Sequence, residues 1–411
     1  MQSRPGASSW TWLLALFSAA SFIETVFFGQ MSAFTALHLP KLGVLAGEVP
    51  LWTGRIAALA SAVGIPFLPF WGALADRYSR QPVIVRSFVA HLLASVVMIL
   101  SPNVWVFAAG RAITGLALGN SGLMLTTLSD STPPARIGLA FAVMTSAGPI
   151  GAFIGPLIGG PIIDHWGFPI LMMVDGLLMV ALIFALSLGY KDTYQGTNRG
   201  PILSMAWESI RVIARSPLLV MIFLSMVLVF GGWMLAFTYI PIIVAAISHG
   251  SSPGQTVGLV IGIGGLAALV VAPIVGSLSD KYGHWQILFI GVVLMIVCWP
   301  LPMLTRDLTV FTALWGLVNG ISSGVFAVSF TVLAQSTASD IKGRVMAFSY
   351  LPVNVGLVIG PALGTWVTQF GLFLIFPVAA IITTAGLVAL GFAYRLSQSS
   401  PLGPRAAEHA S

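Results

Sequence analysis

The sequence predicts an all-α integral membrane protein with twelve transmembrane helices in two pseudo-symmetric halves of six. Three observations predict this fold class: the composition, the spacing of the apolar runs and an internal repeat. Of the 411 residues, 57% are hydrophobic and only 7% are charged, whereas a soluble domain carries about 25% charged residues. So little polar surface cannot cover a globule in water, and the chain is expected to lie in lipid.

The apolar runs leave room for twelve crossings, because a helix needs about 20 apolar residues to cross the hydrocarbon core. The first run reaches Leu37 and contains Glu24, so we expect a retained span and not a cleaved leader. We number the predicted helices span 1 to span 12 and place them at residues 11–37, 51–75, 82–101, 104–128, 138–163, 167–190, 217–247, 256–279, 285–304, 308–335, 345–369 and 371–395.

The positive charges predict that both termini are cytoplasmic. If the N-terminus lies inside, fourteen of the 18 Lys and Arg residues fall in inside segments, three fall outside and the last, Arg111, lies in span 4. Cytoplasmic loops carry such an excess of basic residues, so we expect a multi-pass protein of the cell (inner) membrane. The basic residues form no patch with aromatic residues, which argues against a nucleic-acid partner. The single cysteine, Cys298, excludes an internal disulfide.

A polar break at residues 191–216 predicts the domain boundaries. It separates an N-terminal half, residues 1–190, from a C-terminal half, residues 217–395, and a cytoplasmic tail follows at 396–411. Within the break, apolar residues recur at helical spacing beside charged ones. This pattern predicts an amphipathic helix on the cytoplasmic membrane surface.

The two halves repeat. Residues 72–78 (GALADRY) have a partner in residues 276–282 (GSLSDKY), 204 positions later. The glycines of residues 151–159 (GAFIGPLIG) have partners in residues 356–364, 205 positions later. Two six-helix halves in parallel repeat, with a site near the midplane, are a known plan of secondary transporters.

These motifs resemble those of the major facilitator superfamily, and the resemblance covers essentially the whole chain. Residues 72–80 (GALADRYSR) are similar to the family's signature between spans 2 and 3, with Ser79 where the family has glycine. The resemblance implies that this loop and its echo latch the cytoplasmic ends of the halves, with the first carboxylate facing the N-terminus of span 11. The residues concerned are Gly72, Asp76, Arg77, Arg80 and Asp280. Simple anchoring by the positive-inside rule is the alternative for the two arginines.

The stretch GPIGAFIGPLIGG, residues 148–160, is similar to the span-5 motif of the drug/proton antiporters within that superfamily. Gly151, Gly155 and Gly159 lie four residues apart and form a bare ridge, and Pro156 bends the helix. The resemblance implies that this ridge meets span 8, which offers Gly258, Gly262, Gly264 and Gly265, as a sliding seam between the halves. Tight packing without a functional role is the alternative.

Three charged residues inside spans are candidates for proton coupling. Glu24 lies about 20 Å into span 1 at 1.5 Å per residue, near mid-depth, and we expect it to exchange protons and attract cationic cargo. A hydrogen-bonded glutamate that does not titrate is the alternative. Residues 110–119 (GRAITGLALG) resemble the family's span-4 motif at Arg111 and Gly115. We expect Arg111 to pair with Glu24 or to relay protons, and extension of its side chain to the membrane interface is the alternative. Asp175 in span 6 is a second candidate carboxylate.

Polar and aromatic residues within other spans are candidate cavity residues, and local hydrogen bonding is the alternative for each: Gln30, Asn120, Trp233, Tyr239, Asn319 and Asn354. Asp164 and His165 end span 5, and one Asp with one His does not make a metal site.

The sequence therefore predicts a transporter and not an enzyme, since no nucleophile–base pair, metal cluster or nucleotide loop is found. We expect proton-coupled export of hydrophobic or cationic small molecules by alternating access, without a cofactor, by a monomer driven by the proton gradient. The alternative is a narrower cargo: a lipid or lysolipid flippase, a sugar or metabolite exporter, or an uptake symporter.

Overall fold

The computed structural model describes residues 9–77, 79–192, 211–248, 250, 252–338 and 341–399. Every regular element in these ranges is a helix, which confirms the all-α fold class. Seven predicted spans are each built on one main helix, with the bounds Trp10–His38 (span 1), Arg80–Ile99 (span 3), Pro217–Ile247 (span 7), Pro253–Tyr282 (span 8), His284–Cys298 (span 9), Leu308–Gln335 (span 10) and Ile375–Gln398 (span 12).

Spans 5 and 6 form one run of helix, Ile137–Gly189, of 53 residues. At 1.5 Å per residue this run is about 80 Å long, far more than the roughly 30 Å of hydrocarbon in a bilayer. Gly167 interrupts it with a non-helical backbone (φ 84°, ψ 172°). The run is therefore two crossings joined at Gly167, as the sequence predicts.

Spans 2, 4 and 11 are each broken into two helices. Their bounds are Val49–Gly64 and Leu68–Arg77, Val104–Gly115 and Asn120–Ser131, and Lys342–Ala347 and Leu351–Val367. The sequence predicts a continuous helix for each, and this is wrong. In span 2 a 3₁₀ turn, Ile65–Phe67, contains Pro66, which has no backbone N–H for the helical ladder. With these three spans the count of twelve is reached.

Side-chain caps fix where several helices begin. The Ser9 hydroxyl accepts from the Trp12 amide at 3.3 Å, and the Asn103 side chain accepts from two backbone amides of span 4 at 3.0 and 3.1 Å. Asp307 caps span 10 at the Val310 amide, 2.8 Å away. Such caps satisfy the free N–H groups of a first turn and are typically worth about 1 kcal/mol.

The chain separates into two compact units. The first unit contains Met1–Val49, Leu59–Ala206 and His249–Gly262, and the second contains Pro50–Ala58, Trp207–Ser248 and Ile263–Ser411. In the first unit span 1 packs mainly on spans 5 and 6; in the second, span 7 packs mainly on spans 11 and 12. The boundaries predicted around the polar break stay a prediction. Most of its amphipathic helix lies outside the described residues, and residues 211–215 are helical.

Candidate functional site

Glu24 contacts two other spans of the first unit. Its Oε2 accepts a hydrogen bond from Asn120 Nδ2 at 3.0 Å, and its Oε1 lies 3.6 Å from His91 Nε2. The Glu24 side chain is 20% exposed and that of His91 is 10% exposed. A carboxylate, an amide and an imidazole from spans 1, 4 and 3 therefore meet at one place.

The break in span 4 places Asn120 at this site. Asn120 is the first residue of the second helix, and Gly119 before it has φ +100°, which favours glycine. Gly115, the last residue of the first helix, lies against the backbone of span 2, where a Cβ would collide with the Ala60 carbonyl oxygen and lie 2.9 Å from the Gly64 nitrogen. The two glycines thus allow span 4 to approach span 2 and then change direction.

His91 was not predicted as a site residue. It stands in the middle of span 3, packs on the Phe27 ring at a centroid distance of 4.9 Å, and is buried. Neither ring nitrogen has a hydrogen-bond partner among the described residues. The available signal was a histidine in the middle of an apolar span, in a chain whose first span also carries a glutamate near mid-depth.

Arg86 is one of the fourteen basic residues assigned above to inside segments, and it lies in the second turn of the span-3 helix. Its guanidinium carbon lies 3.7 Å from the centroid of the Trp71 ring of span 2. Its Nη2 donates to Ser87 Oγ at 2.8 Å and to the Leu118 carbonyl oxygen at 3.2 Å. Leu118 belongs to the break in span 4, so Arg86 satisfies a carbonyl at the interruption.

Arg111 and Asp175 are both buried, at 7% and 2% exposure. The structure does not bring Arg111 to Glu24: among the described residues, His91 is the basic side chain within 4.0 Å of that carboxylate. Arg111 Nε and Asp175 Oδ2 are buried without hydrogen-bond partners in the described part of the chain. Both residues remain candidates.

Three predicted cavity residues donate hydrogen bonds to backbone carbonyls, two of them between spans and one within its own span. Gln30 donates to the Gly155 carbonyl at 3.2 Å and joins span 1 to span 5. Tyr239 donates to the Pro361 carbonyl at 3.0 Å and joins span 7 to span 11. Asn354 donates to the carbonyl one turn before it in its own span. Hydrogen bonding to backbone, the alternative stated for these residues, describes all three.

Trp233 and Asn319 form a polar contact inside the second unit. Trp233 Nε1 donates to Asn319 Oδ1 at 2.9 Å, and Asn319 Nδ2 donates to the Gly264 carbonyl at 2.7 Å. A row of rings extends from this pair through Phe326 and Phe330 to Tyr350, with successive centroids 4.9 to 6.4 Å apart. The rings give the second unit an aromatic surface with one amide beside it.

The glycine ridge of span 5 meets span 1, and not span 8 as expected. A Cβ at Gly155 would lie 2.9 Å from both Cα and the carbonyl oxygen of Val26, and one at Gly159 would lie 2.6 Å from the Phe34 ring. The corresponding glycines of the second unit also pack on the first span of their unit: a Cβ at Gly360 would lie 2.7 Å from the Leu235 nitrogen of span 7. The ridge is thus a packing surface within each unit.

Span 8 packs on the neighbouring face of span 5, about 100° further round the helix. Here Pro156 and Gly160 oppose Gly258 and Gly254: a Cβ at Gly258 would collide with the Pro156 carbonyl, and one at Gly160 would lie 2.7 Å from the Gly254 carbonyl. Gly264 lies elsewhere, against the Trp315 ring. The expected glycine contact between spans 5 and 8 therefore exists, but on a different face.

The structure describes only part of the signature between spans 2 and 3. The surroundings of Gly72 and the side chains of Asp76 and Arg77 lie outside the described part of the structure. Arg80 is buried and forms an ion pair with Asp130 at 2.7 Å, so it is more than a surface anchor. The Asp280 side chain, in the last turn of span 8, is 78% exposed, and its Oδ1 lies 3.9 Å from Nδ1 of His284, the first residue of span 9.

Asp192 was not predicted to act at this loop, yet its carboxylate binds the first turn of span 3. Oδ2 accepts from Ser79 Oγ at 2.8 Å and from the Arg80 amide at 2.5 Å. A carboxylate is stabilised at a helix N-terminus, where free amides and the helix dipole both favour negative charge.

Asp164 caps the first turn of span 8 in the same way. Its two carboxyl oxygens accept from the Gly254 and Gln255 amides, each at 2.8 Å. The carboxylate at the end of span 5 therefore ties that span to span 8.

We expect Asp164→Ala to lower the thermal stability of the purified protein and Asp164→Asn to lower it less, because Ala removes both hydrogen bonds and Asn keeps one acceptor. The loss for Ala is about 1 kcal/mol, the typical value of a helix cap. Melting temperatures in detergent measure it. Glu48→Gln removes an exposed charge that caps nothing and is the control. Equal melting temperatures for Asp164→Ala and wild type would show that the cap contributes nothing.

Comparisons with known proteins agree with this architecture. The family model of the Major Facilitator Superfamily matches residues 16–321 and 255–411. The chain is 25% identical over 410 residues to the multidrug resistance protein MdtG of Enterobacter lignolyticus, covering 98% of this chain and 97% of that protein. It is 26% identical over 393 residues to the MdtG of Serratia proteamaculans, covering 93% of each.

Solved structures show the same fold at low identity. The nucleoside transporter NupG has a TM-score of 0.74 at 13% identity, over 93% of this chain and 99% of that one. An auto-inhibited peptide transporter of the POT family has a TM-score of 0.74 at 14% identity, over 93% and 96%. Helix count, internal repeat and family match lead to one conclusion: the chain is a multi-pass membrane transporter that belongs to the Major Facilitator Superfamily.

Proposed function

We propose that this protein is a proton-coupled secondary transporter that exports hydrophobic or cationic small molecules by alternating access. The observation that carries the proposal is the contact of Glu24 with Asn120 and His91 inside the first unit. Relatives that align along almost the whole chain are named multidrug resistance proteins, which supports export of drug-like molecules.

The three side chains suit the exchange of one proton for one cation. An ionised Glu24 accepts the Asn120 amide hydrogen bond and attracts a positively charged cargo. A protonated Glu24 carries one O–H donor, and the unpartnered Nε2 of His91, 3.6 Å away, is the acceptor within reach. Ionisable groups inside a span are costly and face partners or water. Glu24 can bind either a proton or the positive charge of the cargo, so the proton and the cargo compete for one carboxylate.

The aromatic row of the second unit supports an apolar cargo. Trp233, Phe326 and Phe330 offer ring faces, and ring stacking adds to the burial of apolar area. The Asn319 amide offers a polar contact beside them. The carboxylate of the first unit suits a positive charge on the cargo, and the rings of the second unit suit an apolar body.

The rest of the proposal follows from this mechanism. The proton gradient supplies the energy, so no cofactor is required, and the partners are protons, a small-molecule substrate and the bilayer, with no nucleic acid. The positive-inside pattern supports cytoplasmic termini in the cell (inner) membrane. A single chain with both units is sufficient, so we propose a monomer.

The test is proton movement driven by cargo in proteoliposomes that contain a pH-sensitive dye. When ethidium is added on one side of the membrane, protons are expected to move towards that side, and a protonophore is expected to abolish the pH change. Glu48→Gln, a neutralised exposed carboxylate, should behave as wild type. Proton movement in the same direction as ethidium would identify a symporter, and ethidium movement without protons would overturn the coupling.

A further inference from the structure

We propose that Arg86, stacked on Trp71, forms an anion-binding subsite for an acidic group of the cargo: a carboxylate, phosphonate or sulfonate on an otherwise apolar molecule. This deepens the proposed function, on which it rests. It widens the cargo from cations to molecules that carry both charges, with the basic end at Glu24 and the acidic end at Arg86.

The guanidinium has unused hydrogen-bond donors. Nη2 is occupied by Ser87 Oγ and the Leu118 carbonyl, whereas Nε and Nη1 are buried and have no hydrogen-bond partner among the described residues. Nε and one terminal nitrogen of arginine form the fork that binds a carboxylate or phosphate with two parallel hydrogen bonds. Buried polar groups are almost always satisfied in native proteins, so these donors require an acceptor that none of the described residues provides.

The charge of Arg86 is also not neutralised locally. No acidic side chain of the described residues lies within 4.0 Å of it. Glu24 acts on it electrostatically from further away, but the closest contacts of Glu24 are to Asn120 and His91. A cation inside a span without a paired carboxylate is costly, and an anionic ligand would remove that cost.

Trp71 defines the kind of anion. The Trp71 ring covers one face of the guanidinium, with its centroid 3.7 Å from Arg86 Cζ. The ring centroids of Phe67 and Phe70 lie 6.1 and 5.0 Å from that of Trp71. A stacked arginine keeps the edges of its plane available for hydrogen bonds. The Trp71 ring on the face of the guanidinium, with two phenylalanine rings next to it, suits an acid attached to an apolar or aromatic body, and not a small hydrated ion.

Both elements that cover Arg86 lie next to helix breaks. Trp71 belongs to the second helix of span 2, beyond the Pro66 turn, and Leu118 lies in the break of span 4 before Gly119. Few residues need to change conformation for either cover to move. Movement of either cover would expose the buried donors to a ligand.

The test uses two dyes that differ by one charge. Rhodamine 110 carries a free carboxylate and a delocalised cation, and rhodamine 123 is its methyl ester and carries the cation alone. Binding of each dye to the full-length protein in detergent is followed by fluorescence anisotropy, which requires no proton gradient. Failure of the coupling mechanism is thus separate from failure of the anion subsite.

We expect the wild-type protein to bind rhodamine 110 more tightly than rhodamine 123. Arg86→Gln should weaken binding of rhodamine 110 by about 10- to 100-fold, the value of charge-assisted hydrogen bonds, and leave rhodamine 123 unchanged or improved. Arg86→Lys keeps the charge without the fork and should be intermediate. Arg55→Gln, which removes an exposed arginine near Trp52, is the control.

Two results would overturn the proposal. One is a wild-type protein that does not prefer rhodamine 110. The other is an equal loss of both dyes in Arg86→Gln, which would assign Arg86 to supporting the Leu118 carbonyl. Arg86→Lys, which keeps a donor for that carbonyl, shows whether a folding defect lies behind such a loss.

Discussion

Gly155→Ala is expected to destabilise the protein, whereas Gly148→Ala, on the same stripe of span 5, is expected to leave its stability unchanged or raise it. The added Cβ at residue 155 would lie 2.9 Å from two backbone atoms of Val26, so span 1 would have to move. At residue 148 the added Cβ would meet only the Thr25 methyl group at 3.7 Å, an ordinary contact. Overpacking costs about 1–3 kcal/mol, and replacing glycine by alanine within a helix gains up to about 1 kcal/mol.

Melting temperatures of the two variants in the same detergent check this prediction, with the monodisperse fraction on size-exclusion chromatography as a second readout. The two substitutions are chemically identical, so the difference reports the environment alone. Similar melting temperatures for both would show that spans 1 and 5 are not in close backbone contact.

Glu24→Gln is expected to reduce export driven by a pH gradient to the level of liposomes without protein. Glutamine has the size and shape of protonated glutamic acid and can still bond to Asn120, but it cannot release a proton. Glu24→Asp keeps the acid and shortens the reach to Asn120 and His91, so we expect partial export. Efflux of ethidium against its gradient is the measurement, and Glu48→Gln is the control for loss of one carboxylate.

Substitution of His91 separates a role in proton exchange from a role in packing. His91→Gln keeps a polar side chain beside Glu24 but has no imidazole, so we expect slower ethidium export if His91 takes part in proton exchange and wild-type export if it only packs on Phe27. Wild-type export by Glu24→Gln would remove Glu24 from the mechanism and leave Asp175, buried in span 6, as the carboxylate to test.

Hydropathy and length were sufficient to predict the twelve spans, because the cost of leaving backbone groups unsatisfied in lipid restricts the chain to helices. The breaks in spans 2 and 4 could not be predicted in the same way. The span-2 break coincides with Pro66, which hydropathy does not weigh. The span-4 break accompanies a close backbone contact between Gly115 and Gly64, and hydropathy does not record which backbone a glycine will meet.

The candidate site was predicted in part. Glu24 and Asn120 were chosen separately, as a mid-span charge and a mid-span amide, and the structure brings them together. Arg86 and His91 were missed, because counting charges by loop assigns a basic residue to a side of the membrane and does not reveal its burial. The predicted partner of the glycine ridge, span 8, was wrong, because a spacing of four residues defines a stripe on a helix but not the helix that packs on it.

The interruption of span 4 has a consequence for biosynthesis. Each of its two helices has 12 residues, well below the roughly 20 needed to cross alone, and the first carries Arg111, whose insertion costs about 2.5–3.5 kcal/mol. As the ribosome delivers the chain, spans 1 and 2 emerge earlier and already offer Glu24 and the backbone around Ala60. The order of synthesis therefore makes these contacts available when span 4, a segment ill suited to insert alone, arrives.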